Sequence, residues 1–251
     1  MLLLGHMPLV SIIIPAHNRE KYLEVAVRSV LEQTMPDSEI LIVNDASTDS
    51  TGHIAERLAE KNSRIRVIHH GQNKNRSGAL NTGIEHATGN YISILDSDDY
   101  YLPDKLERQI SFLESHPQSD GVYGDYEILW ENTVDTKPAN AIASTEHVQE
   151  RLVAKARGED INVMPEGYIP SCSVLIRISV FNTIRFDPIL RNMEDFDMWL
   201  QILGKGFVLT RLPGSTYVYR RHDGQKSSDP ERVKIARAAI EEKLRTGAYL
   251  K

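Results

Sequence analysis

The amino-acid sequence predicts one α/β domain built around a mainly parallel sheet, and two observations carry that prediction. Over residues 9–125 short apolar runs alternate with stripes of helical spacing, the pattern of βαβ units. The first run, Val10-Ser-Ile-Ile-Ile14, is almost unbroken, as expected of a strand covered by helices on both faces. No internal repeat or low-complexity linker divides the 251 residues, and a chain of that length can bury a substantial core.

The elements follow in order. Leu23, Ala26, Val27, Val30 and Leu31 recur at helical spacing after the first strand. Ile40–Val43 reads as the second strand, Ile54, Ala55, Leu58 and Ala59 as the next helix, and Ile65–Ile68 as the third strand. Ala79, Leu80, Gly83, Ile84 and Ala87 form a helical stripe before the strand Tyr91–Leu95. Pro103 suits the opening of a helix whose apolar face is Leu106, Ile110 and Leu113. After a strand at Gly121–Gly124 the pattern weakens, and the polar stretch 131–145 reads as a loop. Val174–Arg177 is the next strand, Glu194–Leu203 a helix, Phe207–Leu209 and Thr216–Tyr219 short strands, and 230–245 a charged helix with Pro230 near its start.

Composition narrows the class. Hydrophobic residues make up 41% and charged residues 25%, ordinary for a soluble domain. A formal net charge of −6 argues against bulk nucleic-acid binding, while leaving room for a local basic pocket for phosphates. No stretch approaches the roughly 18–20 apolar residues that span a bilayer. Met1–Met7 is too short for a signal peptide, and Met7 is itself a candidate start. Cys172 is the single cysteine, which rules out an intramolecular disulfide and fits a reducing compartment. Its expected place is as a small buried apolar residue. These features together predict a cytoplasmic protein, with peripheral association at the inner face of the membrane left open.

The most informative stretch is Leu95-Asp96-Ser97-Asp98-Asp99, directly after a predicted strand. Three carboxylates within four residues repel one another unless a cation holds them. Hard divalent ions such as Mg²⁺ or Mn²⁺ take such oxygen ligands and leave positions for substrate phosphates. In open α/β sheets the ligand site lies beyond the carboxyl ends of the strands, where this cluster falls. The plainer reading is a solvated acidic turn before the helix at Pro103. If the strands are parallel, the turn Pro15-Ala-His-Asn-Arg19 and Asp45 share that edge. A carboxylate at Asp45 could accept the imide N–H of a uracil ring; as a turn or N-cap aspartate it would have no ligand. Thr48 and Asp49 fit the capping role better.

Six segments together resemble family 2 glycosyltransferases, which have the GT-A fold. They are Val10-Ser-Ile-Ile-Ile-Pro-Ala-His-Asn18, Ile42-Val-Asn-Asp-Ala-Ser-Thr-Asp49, Ser77-Gly-Ala-Leu-Asn-Thr-Gly-Ile84, Tyr91-Ile-Ser-Ile-Leu-Asp-Ser-Asp-Asp99, Glu194-Asp-Phe-Asp-Met-Trp199 and Tyr219-Arg-Arg-His222. The resemblance spans residues 8–222 and divides into a nucleotide-sugar-binding half, 8–125, and an acceptor-side half, 126–222; residues 223–251 would be a C-terminal helical extension. It implies that Pro15, Ala16 and Asp45 line a nucleoside pocket, with Asn18 and Ser97 in the same donor site. Asp96 and Asp98 match the family's D-x-D acids. Asp96 would face the ribose or the water shell of a Mn²⁺ or Mg²⁺ ion, and Asp98 would ligate that ion. Asp195 matches the general base, His222 would close over the diphosphate, and Arg76 would add a phosphate contact.

The implied reaction is inverting transfer of one sugar from a nucleoside-diphosphate donor, expected to be a UDP-sugar, to a glycan, lipid-linked or other hydroxyl acceptor in polysaccharide or cell-envelope assembly. The Gln/Arg-x-x-Arg-Trp motif of processive synthases is absent, which favours single addition. Residues 126–170 match nothing that names the acceptor. Plainer roles stand beside several of these: Asp195 as an acid at a helix start, His222 as a surface or capping histidine, and Trp199 as core packing rather than an acceptor platform. Asn75-Arg76-Ser77 is a glycosylation sequon by pattern only. A sugar-nucleotide pyrophosphorylase would need a Gly-rich phosphate loop where Pro15-Ala-His-Asn-Arg19 stands. A silent nucleotide-sugar-binding protein would be expected to lack Asp98 or Asp195. A Rossmann dehydrogenase would need Gly-x-Gly-x-x-Gly after a strand.

Overall fold

The structure, a computed structural model, describes residues 9–131, 133–139, 148–157, 159, 169–222 and 229–250. Its frame is a nine-stranded sheet in the order β3-β2-β1-β4-β8-β6-β9-β5, with β7 beside β6. The first half is the expected alternation: β1 (Val10–Ala16), α1 (Leu23–Leu31), β2 (Ser38–Asn44), α2 (Thr51–Lys61), β3 (Ile65–His69), α3 (Asn75–His86) and β4 (Tyr91–Ile94). β1 is parallel to β2 and β4, and β2 to β3. The remaining strands are β5 (Tyr100–Tyr101), β6 (Gly121–Trp130), β7 (Thr136–Ala139), β8 (Val174–Arg177) and β9 (Leu209–Arg221). β8 runs antiparallel to β4 and β6, whereas the long β6–β9 pairing is parallel. Most paired residues are therefore in parallel register.

Why β1 lies at the centre follows from its side chains. Every residue from Val10 to Ala16 is buried, and successive β-branched residues alternate between two cores, as side chains on a strand must. Ile13, Leu41 and Val43 join the core beneath α3, α6 (Glu194–Gly204) and α7 (Pro230–Arg245). Ile12, Ile14, Ile40 and Ile42 join the opposite core beneath α1 and α4 (Lys105–Ser115). α3 reaches β1 so closely that a Cβ on Gly83 would stand 2.3 Å from Ile13 Cγ2, so the missing side chain sets that spacing.

Several elements differ from the sequence expectation. The loop expected over 131–145 contains β7, whose Thr-Lys-Pro-Ala carries no apolar alternation and is held by backbone pairing to β6. The strand at Gly121 continues to Trp130. The two short strands after residue 207 are one, β9, because β6 pairs along its length through a register shift near Asp125. α5 (Val148–Ala156) adds a helix that the weak pattern did not mark. The predicted helix at 230–245 is α7, and its Ala236, Ile240 and Leu244 enter the same core as α6. Fully buried Asp197 on α6 accepts from Lys243 Nζ at 2.7 Å and Tyr249 Oη at 2.5 Å, tying the two segments together.

Candidate functional site

The register of the sheet brings the carboxyl ends of β1, β2 and β4 to one edge. Ala16 lies opposite Asn44, and Ile13 opposite Ile94, so His17, Asp45 and Leu95-Asp96 leave the sheet together. Backbone and short side-chain bonds lock these exits. Asp45 N donates to Ala16 O at 2.8 Å, and Ser97 Oγ to Pro15 O at 2.9 Å. Asn18 Oδ1 accepts from Thr48 N at 2.8 Å, which joins the first two turns. Asp45, expected at the nucleoside pocket, is buried, and its Oδ1 accepts from His70 Nδ1 at 2.8 Å and Lys74 N at 2.7 Å. Asp49 precedes Ser50, the N-cap position of α2, and accepts from Thr51 N at 2.9 Å, so it satisfies an N–H of the first turn from outside the cap position.

The acid loop after β4 turns immediately into β5, which pairs with β9. That pairing sets the end of β9 beside the loop, and Arg220 N donates to Asp99 Oδ1 at 2.9 Å. Asp98 Oδ2 accepts from Arg19 Nε at 3.1 Å and His222 Nε2 at 3.0 Å, so two residues 203 positions apart converge on the expected metal ligand. The His222 ring also stacks on Tyr22, with centroids 4.8 Å apart. Asp99 is buried, and burial followed by the neighbouring Asp98 and Asp96 charges pushes its carboxyl well above the usual range.

A hard divalent cation fits this donor set, because burial and the Asp98 and Asp96 charges raise the proton affinity of Asp99, and a bound cation would relieve that repulsion. Among the described residues, one ligand atom each from Asp96, Asp99 and Cys172 lie within 4.8 Å of one another. Cys172 is a poor ligand there. Burial and the adjacent Asp96 and Asp99 charges push its thiol well up, and only a thiolate ligates well. Its Sγ instead accepts from Asp96 N at 3.2 Å and donates to Asp99 Oδ2 at 3.5 Å, bracing the loop. The residue expected to be inert apolar filling thus makes hydrogen bonds to the acid loop.

Arg76 joins the two halves. From the first turn of α3 its Nε donates to Asp96 Oδ1 at 2.8 Å, Nη1 to Glu194 Oε1 at 3.1 Å and Nη2 to Ser171 Oγ at 2.6 Å. Burial alone would weaken its hold on the proton, but Asp96 and Glu194 outweigh it and raise the guanidinium pKa. Asp195, the expected base, is buried beside Glu194 in the first turn of α6, with Oδ1 accepting from Phe196 N at 2.8 Å. A helix start stabilises negative charge there. Trp199, one turn on, is core: it is buried and its Nε1 donates to Ile169 O at 2.9 Å.

Backbone strain marks the same edge. Among the described residues, the non-glycine positions with left-handed φ are Asn18 (54°), Ala46 (54°), Asn75 (63°) and Met193 (56°). Each is a predicted site residue or stands within two positions of one: Ala46 follows Asp45, Asn75 precedes Arg76, and Met193 lies two before Asp195. Such conformations cost on the order of 1–3 kcal/mol each and cluster where a fold must aim functional groups. Sequence reasoning had not singled out Arg19, His70, Ser171 or Glu194 as site residues. Arg19 and Glu194 lay inside quoted motifs, but His70 and Ser171 carried no local signal, since their partners are distant in the chain.

This arrangement gathers a candidate ligand site at the strand ends of an α/β domain. The family model for glycosyl transferase family 2 matches residues 11–184, and the chain belongs to that family. TuaG of Bacillus subtilis, whose name assigns it as a glycosyltransferase to teichuronic acid biosynthesis, is 31% identical over 222 residues, covering 88% of this chain and 82% of TuaG. An uncharacterized glycosyltransferase of Rickettsia felis is 35% identical over 202 residues, and this chain spans 31% of its length. Crystal structures of S. aureus TarS 1–349 share the fold. The complex with UDP has a TM-score of 0.69 at 20% identity, over 93% of this chain and 65% of that one. The complex with UDP-GlcNAc has a TM-score of 0.70 at 18% identity, over 94% and 70%. The expected α/β class and GT-A fold are therefore observed.

Proposed function

We propose that the chain is an inverting, metal-dependent glycosyltransferase that moves one sugar from a nucleoside-diphosphate donor, a UDP-sugar, to a hydroxyl acceptor. The observation that carries this reading is the Arg76 bridge, whose one guanidinium pairs with Asp96 of the D-x-D acids and with Glu194, the neighbour of Asp195. The UDP and UDP-GlcNAc complexes of TarS support the donor class. Residues 8–125 would supply the donor contacts and 126–222 the base and His222.

In the reaction, an acceptor hydroxyl oxygen forms a bond to the anomeric carbon as the bond from that carbon to the diphosphate oxygen breaks. Asp195 takes the hydroxyl proton, and the nucleoside diphosphate leaves with the electron pair. A Mn²⁺ or Mg²⁺ ion held by Asp98, with Asp96 beside it, would stabilise the charge on the leaving diphosphate. Asp45 would accept a base N–H, with Pro15, Ala16, Asn18 and Ser97 fixing the wall of that pocket. Arg19 and His222, which both hydrogen-bond Asp98, would supply positive charge beside the phosphates. TuaG is named for teichuronic acid biosynthesis, which supports an acceptor in envelope polysaccharide assembly; a glycan or lipid-linked acceptor and work at the inner face of the membrane belong to the same proposal. No helix among the described residues is long and apolar enough to cross a membrane.

The test is Asp195→Asn, assayed for both donor binding and transfer. Donor affinity is expected to stay within about twofold, while turnover falls by about 10²–10⁴, the usual worth of a general base. Near-normal transfer by the variant would remove Asp195 from that role.

A further inference from the structure

Asp45 is held by more than its own loop. Its carboxylate and the His70 imidazole are each only 4% exposed. His70 Nδ1 meets Oδ1 at 2.8 Å, and a carboxylate can only accept, so the imidazole donates. On its far side His70 Nε2 meets Thr82 Oγ1 at 3.0 Å, from the middle of α3. Lys74 N donates to the same Oδ1 at 2.7 Å, from the residue before α3 begins. Among the described residues the hydrogen bonds to this carboxylate all end on Oδ1. The backbone is fixed too: Asp45 O accepts from His17 Nδ1 at 2.8 Å and from Asn73 Nδ2 at 3.1 Å.

Two donors on one oxygen pin the carboxylate plane and leave Oδ2 available to a further donor. A ligand offering a single N–H in the plane of a ring, the imide of uracil or thymine or the N1–H of guanine, matches that capacity. Cytosine and adenine have no ring N–H at that edge. The rotation of Asp45 therefore decides whether the base is read, and that rotation is set from outside the pocket.

We infer that His70, backed by Thr82, is a positioning residue for nucleobase recognition: it orients Asp45 so that Oδ2 meets the base. The inference rests on the reading of Asp45 as a nucleoside-pocket residue. His70 touches neither the base nor the phosphates in this account; it acts through the carboxylate. A free carboxylate would rotate among several orientations and lose part of its preference for a ring N–H.

The test uses the whole chain and calorimetric titration with Mn²⁺ and UDP, GDP or dTDP, taking the nucleotide that the wild type binds most tightly. Inorganic pyrophosphate with Mn²⁺ is the control ligand without a base. The variants are Asp45→Ala, His70→Leu, His70→Asn and the Asp45→Ala/His70→Leu double. His70→Leu and Asp45→Ala are each expected to weaken nucleotide binding about tenfold or more, the usual scale for a hydrogen bond to a charged group, and to leave pyrophosphate unchanged. The double variant should be no weaker than Asp45→Ala alone. His70→Asn, whose amide can replace the Nδ1 donor, should stay within about twofold of wild type, and it carries the test if the leucine variant does not fold.

Asp45→Ala without effect on any nucleotide would show that the underlying reading of the pocket is wrong. An effect of Asp45→Ala with none from His70→Leu would keep that reading and overturn the role of His70. Equal loss of nucleotide and pyrophosphate in His70→Leu, or loss in His70→Asn as large as in the leucine variant, would also overturn it, because a general packing defect would suffice.

Discussion

Lys105 has a folded-state charge that should be legible in a stability profile. It has no exposed surface, and its ammonium donates to Ser93 Oγ at 2.9 Å, Gln109 Oε1 at 2.7 Å and Val174 O at 3.1 Å. The Tyr101 ring lies 4.4 Å away on another side. None of these acceptors carries charge, and burial pulls the Lys105 pKa from 10.5 down to about 7. The Cys172 thiol and Tyr101 hydroxyl nearby are both pushed up by their own burial, so neither offers an anion in this range.

Between about pH 7 and 10.5 the unfolded chain keeps the lysine proton while the folded protein has shed it. The unfolded state then binds more protons, so stability rises with pH across that window; below pH 7 the buried charge exacts its full cost. The slope is roughly 1 kcal/mol per pH unit, which amounts to on the order of 2–3 kcal/mol between about pH 7 and 9. Lys105→Met keeps the volume and lacks this proton. Urea unfolding of wild type and variant from pH 6 to 9 measures the difference, in which titrations elsewhere cancel. The wild type should gain on the variant by that amount as pH rises. Parallel profiles would refute the assignment of a neutralised buried lysine.

Further outcomes follow from the same geometry. Asp98→Ala should lose the part of nucleotide binding that Mn²⁺ adds, and match wild type in chelator; full metal-dependent affinity in calorimetry would move the cation elsewhere in the loop. Gly83→Ala should destabilise by about 1–3 kcal/mol, because its Cβ would sit 2.3 Å from buried Ile13 Cγ2 and core overpacking costs that much. An unchanged melting temperature would mean that α3 can move off β1. Loss of turnover with retained donor binding in Asp195→Asn, and the loss of base-dependent affinity in His70→Leu, complete the set.

Much of the fold was legible in the chain because its information is local. The stripes at Leu23–Leu31 and Leu106–Leu113 and the run Val10–Ile14 each specify their own period, and α7 begins and ends at the predicted residues. β7 and the full length of β9 were not legible. Edge and ribbon strands draw stability from backbone pairing with a distant partner, so Thr136–Ala139 shows no pattern of its own. The acid loop and Asp45 could be nominated from residue type and position beyond strand ends, and Asp195 and His222 from the family resemblance.

Sequence by itself thus nominated residues for chemistry and, given parallel strands, the edge of the sheet where the acid loop and Asp45 lie, since side-chain type and strand pattern are written in consecutive residues. Only the tertiary structure decided how they are joined. Arg76 reaches Glu194 across 118 positions, His222 reaches Asp98 across 124, and His70 reaches Asp45 across 25. Lys105, which a sequence pattern would leave in solvent, is buried because Ser93, Gln109 and Val174 supply its acceptors from three different elements. The cost of burying a charge or fixing a carboxylate depends in large part on partners distant in the chain.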